Sequence, residues 1–218
     1  RSCTKYNDFN KLVKKDLVNN NKTNKTYSIK LNNNVYSFTY EEIEKAKELS
    51  DGDMDVRAFE MAIRNSLIDL GVNDSILEGG YLSKFAYAMC SNSSIVHKIQ
   101  DANEFLNIYK NEQIICQIAR LSRSGTKILT CLNMKTKEQE ILLDDHAYDI
   151  SKIDDKYVYM SEPNDTNVKL RITKEEFLEF FNDFEYLNIN EFIENIKASN
   201  SGNGKHISYD PYTGKSEG

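Results

Sequence analysis

Three histidines are the side chains best suited to proton transfer near neutral pH. His206 lies in a polar segment, and we interpret it as solvated, whereas His97 lies in a short apolar run and is interpreted as a surface or hydrogen-bonded residue. His146 differs because the pattern after it predicts a β-hairpin that brings polar residues back toward it. Glu162 and Asn164 follow the second strand of that hairpin. His146, Glu162 and Asn164 are therefore the candidate catalytic residues.

The predicted hairpin places an orienting group beside His146. Its turn is at residues 154–156. If those three residues alone form the turn, His146 lies opposite Asn164, and Glu162 lies one diagonal step away on the same face. A one-residue slip would put Pro163 opposite His146 and turn Glu162 to the other face. The hairpin thus predicts a partner for the imidazole and leaves the choice between Glu162 and Asn164 open.

Two acidic neighbours, Asp144 and Asp145, favour the protonated form of His146. An imidazolium that is held by a polar partner is the acid and base required for acyl-transfer chemistry. The alternative is a histidine at a strand edge among surface acids, with no catalytic role.

Four cysteines are the candidate nucleophiles, since a thiolate is the attacking group in cysteine-dependent catalysis. Cys90, Cys116 and Cys131 lie in apolar runs, which favours buried and inert thiols. Cys3 is followed by polar residues, which do not suit a buried nucleophile helix. There is no Cys-x-x-Cys pair, and the acidic turn at 51–55 lacks the bidentate Glu of a calcium loop. We therefore expect no metal and no cofactor.

Composition narrows the classes of partner. The chain has 218 residues, 39% of them hydrophobic, and a net charge of −6. No basic stripe with interleaved aromatic residues is present, so we expect no nucleic-acid partner. The apolar runs are too short to span a bilayer, so we also expect no membrane span. Nothing in the sequence indicates a cellular location, and because residue 1 is Arg we expect the natural amino terminus to lie upstream.

The elements that must position these residues are helices first and strands afterwards, which indicates an α+β domain. Residues 1–198 are predicted to form the core, and 199–218 a polar tail without a core of its own. Capping-box patterns begin helices after Thr39 and Thr173. The predicted elements are helices over 7–18, 39–49, 56–67, 81–89, 102–109 and 173–181, a hairpin over 27–38, and strands over 113–121, 126–134, 139–143, 146–153, 157–161 and 168–172.

Three groups of segments, in order, resemble one known family. They are 36–42 with 51–63, then 77–81, and then His-Ala-Tyr at 146–148 leading to Glu-Pro-Asn-Asp-Thr at 162–166 and the helix at 173–178. Taken together they resemble the catalytic core of calpain-like, papain-fold cysteine peptidases over roughly residues 9–181. Two departures stand out. No nucleophile motif is present, and Glu162 occupies the position where that family has its orienting Asn.

The resemblance implies a papain-like α+β fold, with a helical N-terminal half packed against an antiparallel sheet in the C-terminal half. It implies a cysteine endopeptidase whose nucleophile lies on a segment upstream of residue 1, so that this chain alone is inactive. The implied partners are a protein or peptide substrate and a separate N-terminal fragment that carries the cysteine. Two alternatives stay open: an inactive papain-fold binding or regulatory module, and a related acyl-transfer enzyme that acts on another amide.

Overall fold

The computed structural model describes residues 5–46, 52–72, 80–120, 128–144, 146–161 and 167–218. It contains helices and antiparallel sheets, in agreement with the predicted α+β class. The chain divides into two compact units. Unit 1 contains the described residues up to Val96 together with Ile189–Gly218, and unit 2 contains His97–Asn188.

Helices and strands are interspersed along the chain, with six consecutive strands in the described part of residues 114–173. The helices are α1 (Asn7–Leu12), α2 (Tyr40–Lys45), α3 (Met54–Asp69), α4 (Leu82–Cys90), α5 (Ala102–Asn111), α6 (Lys174–Phe180) and α7 (Ile189–Asn200), with a π-helical turn Val13–Leu17 and a 3₁₀ turn Ser93–Ile95. The strands are β1 (Val18–Asn21), β2 (Thr26–Leu31), β3 (Asn34–Thr39), β4 (His97–Ile99), β5 (Ile114–Arg120), β6 (Thr130–Asn133), β7 (Gln139–Ile141), β8 (Ala147–Ile153), β9 (Tyr157–Ser161), β10 (Lys169–Thr173), β11 (Phe181–Asn188), β12 (Ser208–Tyr209) and β13 (Ser216–Glu217). Among the described residues, no helix has both the length and the apolar character needed to cross a membrane.

The predicted hairpin over 27–38 is confirmed in unit 1 as β2 and β3. Asn32 and Asn33 form its two-residue turn, with φ of 52° and 60°. Two consecutive left-handed residues match the right-handed twist of the flanking strands, and Asn tolerates this conformation better than most residues. The Asn32 side chain also donates to Ser66 Oγ at 2.9 Å and to Ala88 O at 2.8 Å. The turn is thereby fastened to α3 and α4.

Both predicted capping boxes are confirmed. Thr39 caps α2 and Thr173 caps α6, and in each box the third helical residue, Glu42 or Glu176, bonds back to the main chain of the cap. Each box satisfies two main-chain donors that the first turn of a helix would otherwise leave without partners. The box at Thr173 makes β10 pass directly into α6.

Unit 2 is built on an eight-stranded sheet with the order β4-β11-β5-β8-β9-β10-β6-β7, and all its pairings are antiparallel. One face of this sheet packs against α5 and α6. Phe105 of α5 and Phe177 of α6 are fully buried there, together with Phe184 of β11. Because side chains alternate along each strand, the other face carries the polar residues of β9 and β10. The predicted strands from 113 to 172 are all found in this sheet.

β11 and α7 are absent from the predicted elements. Phe181, predicted as part of the last helix, begins β11 instead, and β11 pairs with β4 and β5. The hydrophobic alternation of β11 is broken by Glu185, which is buried and lies 3.3 Å from Lys98 Nζ. The pairing of a buried Glu with a Lys on another strand is not visible from local hydrophobic periodicity.

The structure also differs from the predicted polar tail over 199–218. The Ser93 N–H donates to Ile207 O at 2.9 Å, and the Ile207 N–H donates to Ser91 O at 2.7 Å. Tyr209 is buried in a cluster with Leu67 and Tyr87. The segment lacks a core of its own, but its main chain and one aromatic side chain pack within unit 1. Its mean composition could not reveal a contact made by a single residue.

Candidate functional site

His146 lies immediately before β8, in the middle of the unit 2 sheet. Ala147, the first residue of β8, pairs with Ala119 of β5, and β8 pairs with β9 on its other side. The imidazole is half-buried, and within the described part of the chain it makes no hydrogen bond.

The ring of Tyr148 supports the imidazole. The two ring centroids are 5.1 Å apart, and the ring planes are inclined by 70°. Tyr148 is 3% exposed, and its hydroxyl oxygen accepts a hydrogen bond from the Leu143 N–H at 3.1 Å. Edge-to-face contact is the preferred geometry of two such rings. His146 thus packs against an aromatic side chain whose ring is buried and whose hydroxyl is hydrogen-bonded.

The β8–β9 hairpin has the predicted register at its open end, but its turn is longer than predicted and one strand has a bulge. Ile153 pairs with Val158, so the turn is one residue longer than predicted. A bulge at Ser151 then shifts the ladder by one residue. Beyond the bulge, Ile150 pairs with Met160 and Asp149 pairs with Ser161, which is the predicted register. The ladder ends there, and Glu162 and Asn164, the predicted partners of His146, lie outside the described residues.

The other two histidines are engaged elsewhere. His97, on the edge strand β4, stacks on Tyr186 of β11 with ring centroids 4.9 Å apart. His206 is exposed, but its Nε2 lies 3.1 Å from the Tyr87 hydroxyl oxygen, so the prediction of a merely solvated side chain is incomplete. His146 stays the candidate.

The cysteines within the described residues are buried. Cys90, Cys116 and Cys131 are free thiols with at most 3% of their surface exposed, as the sequence predicts. Burial raises the pKa of Cys90 to about 12, which keeps it as a thiol at neutral pH. Its Sγ donates to Ala86 O at 3.2 Å. None of these three can serve as an accessible nucleophile, and Cys3 lies outside the described residues.

Among the described residues, no group of three His, Cys, Asp or Glu side chains is close enough to hold an ion. Of the acidic turn at 51–55, Asp55 Oδ1 accepts a hydrogen bond from the Val56 N–H at 2.8 Å, which engages it at the start of α3.

The outer face of the unit 2 sheet carries a feature that the sequence analysis missed. The Arg171 guanidinium carbon lies 4.0 Å from the centroid of the Tyr157 ring, and Lys152 Nζ lies 5.6 Å from that of Tyr159. Both tyrosines belong to β9 and share one face by the two-residue period of a strand. The alternation of residues over 157–161 and 169–173 indicates two strands with these side chains on one face. The sequence does not indicate that the two strands pair with each other, which is what brings Arg171 onto Tyr157.

Comparison with models of protein families, with curated proteins and with solved structures gave no match.

Proposed function

We propose that this chain is the His-bearing part of a papain-like cysteine endopeptidase, with the nucleophilic cysteine on a segment upstream of residue 1. The observation that carries the proposal is the setting of His146: half-buried, immediately before a central strand, and packed on Tyr148. The His-Ala-Tyr motif at 146–148 and its distance from the helix capped by Thr173 are the features that resemble the calpain-like family.

The register of the hairpin supports an orienting partner for His146. The pairs beyond the Ser151 bulge have the alignment from which the sequence analysis derived Asn164 opposite His146 and Glu162 diagonal to it. Glu162 would accept a hydrogen bond from the imidazole as a carboxylate, and Asn164 as an amide carbonyl. Either group would hold the ring in the tautomer that leaves the other nitrogen directed at the sulfur.

The proposed chemistry is acyl transfer through a thioester. The thiolate attacks the carbonyl carbon of the peptide bond, and the His146 imidazolium gives its proton to the departing amine. Water then attacks the thioester, with neutral His146 taking its proton, and the thiolate leaves. The described thiols cannot perform the first step, because burial keeps Cys90, Cys116 and Cys131 away from substrate.

That burial also favours a second candidate, a papain-fold module that binds proteins without cleaving them. In this case His146 is a structural residue on Tyr148, and none of the described thiols acts with it. The two candidates differ in whether a longer chain that includes the preceding segment hydrolyses protein.

The test of the proposal is hydrolysis of fluorescently labelled casein by such a longer chain. The wild type should be active and inhibited by iodoacetamide, and His146→Ala should lose at least about a thousandfold in rate, as general acid–base catalysis is removed together with activation of the thiol. His97→Gln is the matched control, since it removes a half-buried histidine of the same unit, and it should retain activity. Equal loss in both variants would count against a special role for His146.

A further inference from the structure

The outer face of the unit 2 sheet contains a pocket of about 250 Å³ that the proposed function does not use. It forms where two strands separate: β10 and β6 pair only at Leu170–Asn133 and Arg171–Leu132. Beyond these two pairs, α6 carries the chain away from the sheet. The residues around the pocket are mostly polar, and they are Thr130, Leu132, Gln139, Tyr157, Arg171, Ile172, Thr173 and Glu176.

Arg171 is the positive charge at this pocket. Its guanidinium lies on the Tyr157 ring, and it forms no ion pair with any carboxylate of the described residues. Stacking on an aromatic ring fixes the plane of a guanidinium and leaves the N–H groups at its edge free to donate. Such a group is suited to bidentate recognition of a carboxylate or a phosphate.

The remaining walls narrow the class of ligand. Glu176 is engaged in the capping box, where its Oε1 accepts from Thr173 N at 3.0 Å and Thr173 Oγ1 at 2.9 Å, yet its charge still disfavours a doubly charged anion. The Ile172 side chain belongs to the hydrophobic core on the other face of the sheet, so it is the Ile172 main chain that faces the pocket. The Thr130 hydroxyl and the Gln139 amide add neutral donors and acceptors.

We propose that this pocket binds the carboxyl terminus of a peptide, with the α-carboxylate on Arg171 and the adjoining amide on the polar groups where β6 and β10 separate. A single carboxylate matches the one guanidinium, and the volume suits a single terminal residue rather than a folded partner. The inference does not depend on whether His146 is catalytic.

The test is an NMR titration of the isotopically labelled chain with N-acetyl-alanine, and in parallel with N-acetyl-alaninamide and inorganic phosphate. At pH 8 we expect the free acid to shift the signals of β6 and β10 residues, and the amide and phosphate to bind at least about tenfold more weakly, since the amide is uncharged and phosphate is then mainly a dianion, which the Glu176 carboxylate repels. Tighter binding of phosphate would replace the proposal with a phosphate site. Equal binding of acid and amide, or no shift with either, would overturn it.

Two variants assign the site. Arg171→Gln should weaken binding of N-acetyl-alanine at least about tenfold. Arg171→Lys should weaken it less, because lysine keeps the positive charge but lacks the paired N–H donors of the guanidinium. Lys152→Gln is the control: it removes the same charge from the same face, at the other tyrosine, and should leave the affinity unchanged. The unperturbed signals of α5 report whether each variant is folded. Equal weakening by Arg171→Gln and Lys152→Gln would mean that binding depends on the charge of the whole face and not on Arg171, which would contradict the assignment.

Discussion

The His146 imidazole and the Tyr148 ring are in edge-to-face contact, with centroids 5.1 Å apart and planes inclined by 70°. The Tyr148 hydroxyl accepts a hydrogen bond from the Leu143 N–H, so the supporting ring is itself held at its tip. Residues 146 and 148 are two apart in sequence, which is the spacing that puts strand side chains on one face. The contact is thus a consequence of the His-Ala-Tyr order, in which His146 immediately precedes β8 and Tyr148 is the second residue of the strand.

Substitution of Tyr148 tests this support. Tyr148→Phe keeps the ring and should leave the NMR shifts of the His146 ring protons nearly unchanged, with a loss of about 1 kcal/mol in the free energy of unfolding from the missing hydrogen bond. Tyr148→Leu removes the ring current and should move those shifts. Tyr159→Leu, on the outer face of the sheet, is the control. The same His146 spectrum in the Phe and Leu variants would mean that the rings are not in contact in solution.

The turn between β2 and β3 is predicted to depend on one asparagine and not on its neighbour. Asn32→Gly keeps the left-handed backbone but removes the bonds to Ser66 and Ala88 and the one received from Ser199 Oγ at 2.8 Å. Urea denaturation should show a loss of about 2–4 kcal/mol, because three hydrogen bonds to buried groups are lost, although Ser66 Oγ still donates to Ala88 O. Asn33→Gly, whose side chain is exposed, should change stability by about 0.5 kcal/mol or less. Equal effects would show that the backbone conformation, not the side-chain network, is what matters.

Thiol labelling is predicted to separate native from unfolded protein. In a Cys3→Ser variant, the three buried thiols should not react with a disulfide reagent at pH 8 and should all react after denaturation. Since burial raises the pKa of Cys90 to about 12, its native reactivity should rise only at strongly alkaline pH. Cys90→Ala, with one thiol fewer in the unfolded count, identifies its contribution. Rapid labelling of Cys90 in the folded protein at pH 8 would contradict its burial.

The sequence predicts much of the fold, and the exceptions have physical causes. The hairpin at Asn32 and the boxes at Thr39 and Thr173 depend on chemistry within a few residues, so a local pattern is sufficient. β11 pairs with β4 and β5, and its buried Glu185 contacts Lys98, so the strand is defined by residues far apart in sequence. The register of β8 and β9 was predicted correctly at its open end only because the longer turn and the Ser151 bulge offset each other.

The candidate site was predictable to a smaller extent. The position of His146 beside a strand and its spacing from Tyr148 follow from periodicity, and so does the burial of Cys116 and Cys131. The contact of His206 with Tyr87 joins residues more than a hundred positions apart, and no local pattern contains it. The cross-strand stacking of Arg171 on Tyr157 likewise needed the pairing of β9 with β10.

Two substitutions distinguish the proposed partners of His146. In a longer chain that hydrolyses casein, Glu162→Gln should lower the rate if the carboxylate orients the ring, and Asn164→Ala should lower it if the amide does. The ¹⁵N shifts of the imidazole report its tautomer and should change in the same variant that loses activity. If neither variant alters tautomer or rate, the orienting group is elsewhere, with Asp165 the next to be replaced.

Hydrolysis by two lengths of chain tests the central claim most directly. Residues 1–218 and a longer chain that includes the preceding segment are compared on labelled casein, at equal concentration and with and without iodoacetamide. The account predicts no turnover by residues 1–218 and iodoacetamide-sensitive turnover by the longer chain. Robust hydrolysis by residues 1–218 alone, abolished by Cys3→Ala, would place the nucleophile in this chain and contradict the account.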